Sequence, residues 1–368
     1  MKYYQELDND QRRAYLDNAQ MFGALESAVR ESRQYRGGMS WQTVSGKEYL
    51  VRVFDNRTKK SVGPRSPQTE DVFLRFQQGK QDSLERKAGI ETRLSRQAKV
   101  CRAMNLGRIS RLTGNILRTL ADLSLDRKTT TIIGTNALYA YESMAGVQFR
   151  TEILATNDLD ILWDAQSKLK IASDIPAEGM LAVLRKADRS FAVMDKAKYR
   201  AVNRDGFMVD FIRESVDMRV QPESSFAVDD EFVAVEADMK WLIAAPKVRA
   251  VALDEDGYPA PLTVPDPRAF ALHKFWLSLR QDRDPVKKPR DAAQSAAVVA
   301  MIEDLLPQYP FSEKALRIFP KSLSVQFLPV ITNEGMVLPN EAAEEARENM
   351  RREQWIGRRD GARNRRDD

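Results

Sequence analysis

The sequence predicts an α/β (α+β) chain: a small mixed-sheet core flanked by an N-terminal helical region and a C-terminal helical region. Three observations predict it. Short β-branched and aromatic runs (131–133, 158–163, 207–212) alternate with helix-forming stretches in the middle of the chain, the pattern of a sheet with helices packed on it. The first third carries long apolar-periodic stretches with caps and stops, and little strand signal. After Asp266-Pro267, apolar positions return at helical spacing through Leu279, and again from Arg290 to Leu306.

Taken in order, residues 8–35 predict a helix, with Phe22, Leu25 and Val29 at helical spacing and Gly37-Gly38 as its stop. Residues 48–54 predict a strand paired with 39–44 across Ser45-Gly46. The polar, basic stretch from Asn56 to Arg65 reads as a connecting loop. Ser66 caps a helix with Pro67 at its first position, running to about Met104, with Gly79 and Gly89 as candidate breaks. A shorter helix, 109–123, leads into the first central strand, and Thr113-Gly114-Asn115 reads as a lone glycine turn.

The centre holds the chemistry. Thr131-Ile132-Ile133 is followed by a sharp Gly134-Thr135-Asn136 turn and a helix-like run from Ala137 to Met144, stopped near Gly146. In Asp158-Leu159-Asp160-Ile161-Leu162-Trp163, strand alternation puts both carboxylates on one face and Leu159 and Ile161 on the other. Two carboxylates side by side repel unless a cation lies between them, and all-oxygen donors suit Mg²⁺ with substrate phosphates. In the strand 207–212, Phe207, Val209 and Phe211 share one face and Asp210 points to the other. An acid in so apolar a strand calls for a partner or a metal. Beside the first strand it completes a three-carboxylate site. A helix start after a glycine turn suits a phosphate. Residues 176–187 predict a helix, 191–194 and 199–203 short strands, and 248–253 with 261–264 a hairpin across Asp254–Gly257.

An apolar strand, a Gly-Ser-type turn and helix, an acid-x-acid strand and a third acid on a later strand make this chain resemble the DNA polymerase β-like nucleotidyltransferase superfamily, over residues 126–300. In layout it is similar to bacterial nucleotidyltransferase-fold proteins with an N-terminal extension. The run Gly134-Thr135-Asn136-Ala137-Leu138 looks like the GGTAL-type run of abortive-infection nucleotidyltransferase toxins. Thr135 stands where serine or glycine is usual, Asn136 where the toxins carry threonine, and the gap from turn to acids is longer than in minimal members. The resemblance implies transfer of a nucleoside monophosphate from an NTP to a hydroxyl, the acceptor left open with RNA such as tRNA among the candidates, and a toxin or defence role open. It implies two Mg²⁺ (or Mn²⁺) ions on Asp158 and Asp160, with Asp210 binding the metal nearer the attacking hydroxyl. Gly134, Thr135 and Asn136 would hold phosphates. It further implies a nucleotide contact by Lys274, closed by an Arg290-Asp291 pair. The bland alternatives are a surface lysine and a helix-start acid beside a solvated arginine, and His273 reads as structural. The rival for the whole chain is a catalytically inactive module that binds nucleic acid or a protein.

Composition bounds these readings. The 368 residues are 43% apolar and 30% charged, enough for two or three domains. These are expected at 1–125 (mainly helical and basic, with a hairpin near 39–54), 126–265 (the core), 266–330 (helical) and 331–368, a charged tail with a helix to Trp355 and disorder beyond. A single cysteine and a single histidine exclude cysteine-cluster and multi-histidine metal sites. With no apolar span and no signal-like start, a cytoplasmic location without membrane contact is expected. Net charge is +5, but between Arg75 and Arg118 eleven basic residues face three acids, the footprint of a phosphate-backbone contact or of a solvated helix face.

Overall fold

In the computed structural model, which describes residues 3–54, 58–127, 129–154, 156–163, 179–214, 235–237 and 240–332, the chain divides into two units. Met1–Leu7, Arg108–Ala252 and Ala260–Asp368 form the larger; Asp8–Gly107 and Leu253–Pro259 form the smaller. The first strand, β1 (Tyr4–Glu6), belongs to the larger unit.

The smaller unit begins with α1 (Asn9–Ser32). Asp8 accepts from the Gln11 amide and the Gln11 side chain returns to Asp8 N, a reciprocal capping box. The expected hairpin is β2 (Gly38–Val44) with β3 (Lys47–Val53). The stretch read as a loop after it contains a third strand, β4 (Lys59–Pro64), antiparallel to β3. Its sequence, KKSVGP, has little strand preference of its own. The open edge of β3, with donors and acceptors needing partners, selects the conformation. Asn56 and Arg57 lie outside the described residues. The helix α2 (Pro67–Ala103) is unbroken and packs on α1. At Gly79 a Cβ would come within 2.3 Å of the Tyr35 hydroxyl, so that glycine admits a ring rather than ending the helix. A helical glycine costs only about 1 kcal/mol, which the long interface with α1 outweighs.

The larger unit continues with α3 (Arg111–Asp122), capped by Ser110. Gly114 lies inside this helix, buried, and forms no turn. Then come β5 (Thr130–Ile133), the 3₁₀ turn Thr135–Ala137, and α4 (Leu138–Ala145), which Gly146 ends in the left-handed region. The strand β6 (Val147–Phe149) pairs antiparallel with β1. After α5 (Thr151–Leu154) come β7 (Asp158–Trp163), α6 (Gly179–Ala187), β8 (Ala192–Met194), β9 (Ala197–Val202), β10 (Met208–Glu214) and β11 (Val235–Ala237). The start expected for α6 at 176 lies outside the described residues. The short helix α7 (Lys240–Ala244) leads to the hairpin β12 (Lys247–Leu253) with β13 (Pro259–Pro265). Four helices follow: α8 (Pro267–Leu279), α9 (Lys287–Leu305), α10 (Glu313–Leu316) and α11 (Lys321–Thr332). The tail expected from 331 is described only through Thr332, and its predicted helix to Trp355 lies outside the described residues.

The central sheet is mixed, in the order β5-β7-β10-β9-β8, with β11 on β10. β7 runs parallel to β10 and antiparallel to β5; β9 is antiparallel to β10. Leu159, Ile161, Val209 and Phe211 are wholly buried on one face, each contributing roughly 1.5–3 kcal/mol. That burial holds register, because a slip of one residue would turn the carboxylates into the core. α8 and α9 pack on each other, and α4 and α5 on α9. No helix among the described residues is long and apolar enough to cross a membrane.

Candidate active site

The parallel pairing of β7 with β10 sets Asp210 opposite Asp160 and Met208 opposite Asp158. Residues opposed in register share a face, so Asp158, Asp160 and Asp210 lie on one side of the sheet. On the other flank Ile133, the last residue of β5, is opposite Asp160. The chain then turns at Gly134, at φ 69 and ψ −161, a conformation only glycine adopts readily. A Cβ there would lie 2.0 Å from Asp160 Oδ2, so the turn's backbone runs directly against that carboxylate.

Thr135 and Asn136 are buried. The Asn136 side chain donates to the Asp158 carbonyl at 2.7 Å, tying the turn to β7. Thr135 Oγ1 accepts from Gln294 Nε2 at 3.1 Å, and the same Nε2 donates to the Ile153 carbonyl at 2.6 Å. Gln294, wholly buried on α9, thus braces the turn from behind.

The carboxylates differ in environment. Thr156 donates its hydroxyl to Asp158. Half-buried Asp160 is pushed up to about 7, by burial first, then by the Asp158 charge; Lys274 and Lys287 oppose the shift. Asp210 is held by Arg200 of β9, its cross-strand neighbour, through two bonds: Nε to Oδ1 at 2.7 Å and Nη2 to Oδ2 at 2.6 Å. The pair raises the Arg200 guanidinium further above its ordinary value. Among the described residues no group of three or more His, Cys, Asp or Glu side chains is arranged to hold a metal ion. Asp158 and Asp160 are an all-oxygen pair, neither of them held by an arginine in the way Asp210 is. That is a fit for Mg²⁺ or Mn²⁺.

Lys274 is 3% exposed and Asp291 is 0% exposed, which rules out the surface-lysine alternative for Lys274. Lys274 Nζ donates to Asp291 Oδ1 at 2.9 Å, and Arg283 Nε donates to Oδ2 at 2.8 Å. Burial opposes ionisation of Asp291, but Lys274 and Arg283 prevail and hold it below the usual carboxylate range; burial lowers Lys274. Because α9 begins at Lys287, Asp291 does not start a helix as expected. The second cation on it is Arg283; Arg290 precedes it on α9, half-buried. His273 packs against the rings of Trp241 and Trp276, with centroids 6.0 and 5.9 Å away. Burial, then Lys274, pushes it down to about 3, so it is neutral at pH 7 and serves as packing.

A family model described as Nucleotidyltransferase matches residues 111–319, more than half of the chain. The chain belongs to that nucleotidyltransferase family. No curated protein and no solved structure shows a significant match. The matched span of the nucleotidyltransferase runs from α3 through α10 and contains the whole carboxylate face and the Lys274–Asp291 pair.

Arg200, Arg283 and Gln294 are absent from the sequence reading. Arg200 was accessible to it: counting back from Asp210 through the turn, where Asn203 N bonds the Phe207 carbonyl, lands on residue 200. Gln294 carries no local signal.

Proposed function

We propose that this nucleotidyltransferase moves a nucleoside monophosphate from an NTP to a hydroxyl acceptor, with Asp158 and Asp160 holding a divalent cation. The observation that carries the reading is the β7–β10 register, which aligns Asp160 with Asp210 beside the Gly134 turn. The bound Mg²⁺ or Mn²⁺ would supply charge neutralisation on the triphosphate. The chain's own residues do the rest. Gly134 brings backbone close to the phosphates, with Thr135 and Asn136 fixing the turn's shape. Lys274, held by Asp291, keeps a positive charge facing Asp160, and Lys287 adds another. Arg290 stays assigned to the nucleotide side on family likeness. Asp210 orients the acceptor hydroxyl.

RNA is the acceptor we favour. On α2, Arg75, Arg86, Lys87 and Arg102 are ion-paired with Asp71, Glu31, Glu91 and Asp256. Arg93, Arg96 and Lys99 are exposed and make no ion pair among the described residues. They form the stretch of α2 most suited to a phosphate backbone. A toxin or defence role rests on the likeness of Gly134–Leu138 to the toxin run.

A second reading, a module that binds without turnover, is favoured by one observation: both oxygens of Asp210 are occupied by Arg200. Incubation with each labelled NTP, Mg²⁺ and total RNA separates the two. Label in RNA, lost in Asp160→Asn, is expected. No transfer from any NTP to RNA or protein would leave the binding module.

A further inference from the structure

The bidentate Arg200–Asp210 pair has a consequence for cation stoichiometry. Asp210 is 7% exposed, and each of its oxygens receives an N–H of one guanidinium at 2.7 and 2.6 Å. The geometry is planar fork on carboxylate, the strongest form of such a pair. Arg200 is not a long side chain that happens to reach the acid. The antiparallel register of β9 and β10 sets it directly opposite Asp210, and its guanidinium also lies over the Tyr199 ring, 5.7 Å from the centroid. The carboxylate face therefore already contains one fixed cation. With both Asp210 oxygens taken by Arg200, Asp158 and Asp160 are the acids of this face left to offer oxygens to a cation, and two adjacent carboxylates suit one divalent ion.

We infer that Arg200 stands in for a second metal ion: the site binds a single divalent cation on Asp158 and Asp160, and Asp210, locked by Arg200, is not a metal ligand. This rests on the proposed reading of Asp158 and Asp160 as the cation's holders. Arg200 is then a positioning residue, fixing the rotamer of Asp210 and supplying a positive charge that needs no ion from solution.

Mn²⁺ titration of the full-length protein, with free ion counted by electron paramagnetic resonance, tests this without turnover. The wild type should bind one Mn²⁺ per chain. Asp210→Asn should leave that affinity within about threefold, whereas Asp160→Asn should weaken it by at least about tenfold, as loss of groups at a metal site does. Arg200→Gln, which frees both Asp210 oxygens, should raise the count to two. Arg200→Lys, which keeps the charge, should hold it at one. Should Arg200→Gln fail to fold, Asp210→Asn and Arg200→Lys still decide. Two ions on the wild type, or a tenfold loss of affinity in Asp210→Asn, would overturn the role of Arg200 while leaving Asp158 and Asp160 as holders. No Mn²⁺ bound by the wild type would remove the cation reading itself, and this inference with it.

Discussion

The backbone of Gly134 and the carboxylate of Asp160 share a space with no room for a methyl group: a Cβ at 134 would lie 2.0 Å from Oδ2. β5 is antiparallel to β7 and stops at Ile133, opposite Asp160 near the start of β7, so the turn leaving β5 passes against that acid. Gly134→Ala meets both this contact and a φ of +69. The strained backbone alone should cost about 1–3 kcal/mol, read from urea unfolding. Label transfer should fall more than stability predicts, because Asp160 must move. Wild-type transfer from a folded Gly134→Ala protein would show that the close approach has no part in the chemistry.

Asp160→Asn keeps shape and removes a charge. Loss of such a preorganised group should lower transfer by roughly 10² or more. The pH dependence follows from Asp160 rising from 3.8 to about 7 on folding. Between those values the folded chain holds a proton that the unfolded chain has released, so this group's contribution to stability falls as pH rises. Without divalent ions, the variant and wild type should melt alike near pH 4, and the variant should melt higher at pH 8. A variant that melts far lower at pH 8 would make Asp160 a structural residue.

Removing Lys274 tests the buried network. In Lys274→Met, Asp291 stays wholly buried and keeps only Arg283. Breaking a buried pair from one side costs about 3–5 kcal/mol; the remaining arginine places the expected loss near the lower end, measured by denaturant midpoint. An unchanged midpoint would mean the lysine's burial contributes nothing to the fold.

Gln294→Leu separates bracing from catalysis. It removes the donor shared by Thr135 Oγ1 and the Ile153 carbonyl, and each buried group left unsatisfied costs about 1–3 kcal/mol. With the turn loosened, KM for the NTP should rise more than kcat falls. Steady-state kinetics giving the reverse split would assign Gln294 to the reacting groups.

For the acceptor, replacing Arg93, Arg96 and Lys99 by Ala should weaken RNA binding and flatten its dependence on salt, lowering the log–log slope by about 2 for three single-strand phosphate contacts. Fluorescence anisotropy at several salt concentrations measures both. An unaltered slope would return this stretch to a solvated helix face.

Local periodicity by itself determined the α/β class, the order of turn, acid pair and third acid, and the face on which each acid lies. Strand alternation and glycine turns are properties of neighbours in sequence, so Asp158, Asp160, Asp210 and Gly134 were legible. The hairpin across Ser45-Gly46 and the capped start of α2 were legible for the same reason. Tertiary structure decided what depended on residues far apart. β4 is a strand because β3 had an open edge; α2 stays whole at Gly79 because its interface with α1 outweighs the glycine's cost, and the missing side chain leaves room for Tyr35. For Lys274 the sequence left a surface lysine as the alternative to a nucleotide contact; α9 packs on its helix, buries it and brings Asp291. The occupancy of Asp210 likewise turned on pairing: only when β9 lies on β10 does Arg200 meet the carboxylate, and desolvation then makes the guanidinium its fixed partner.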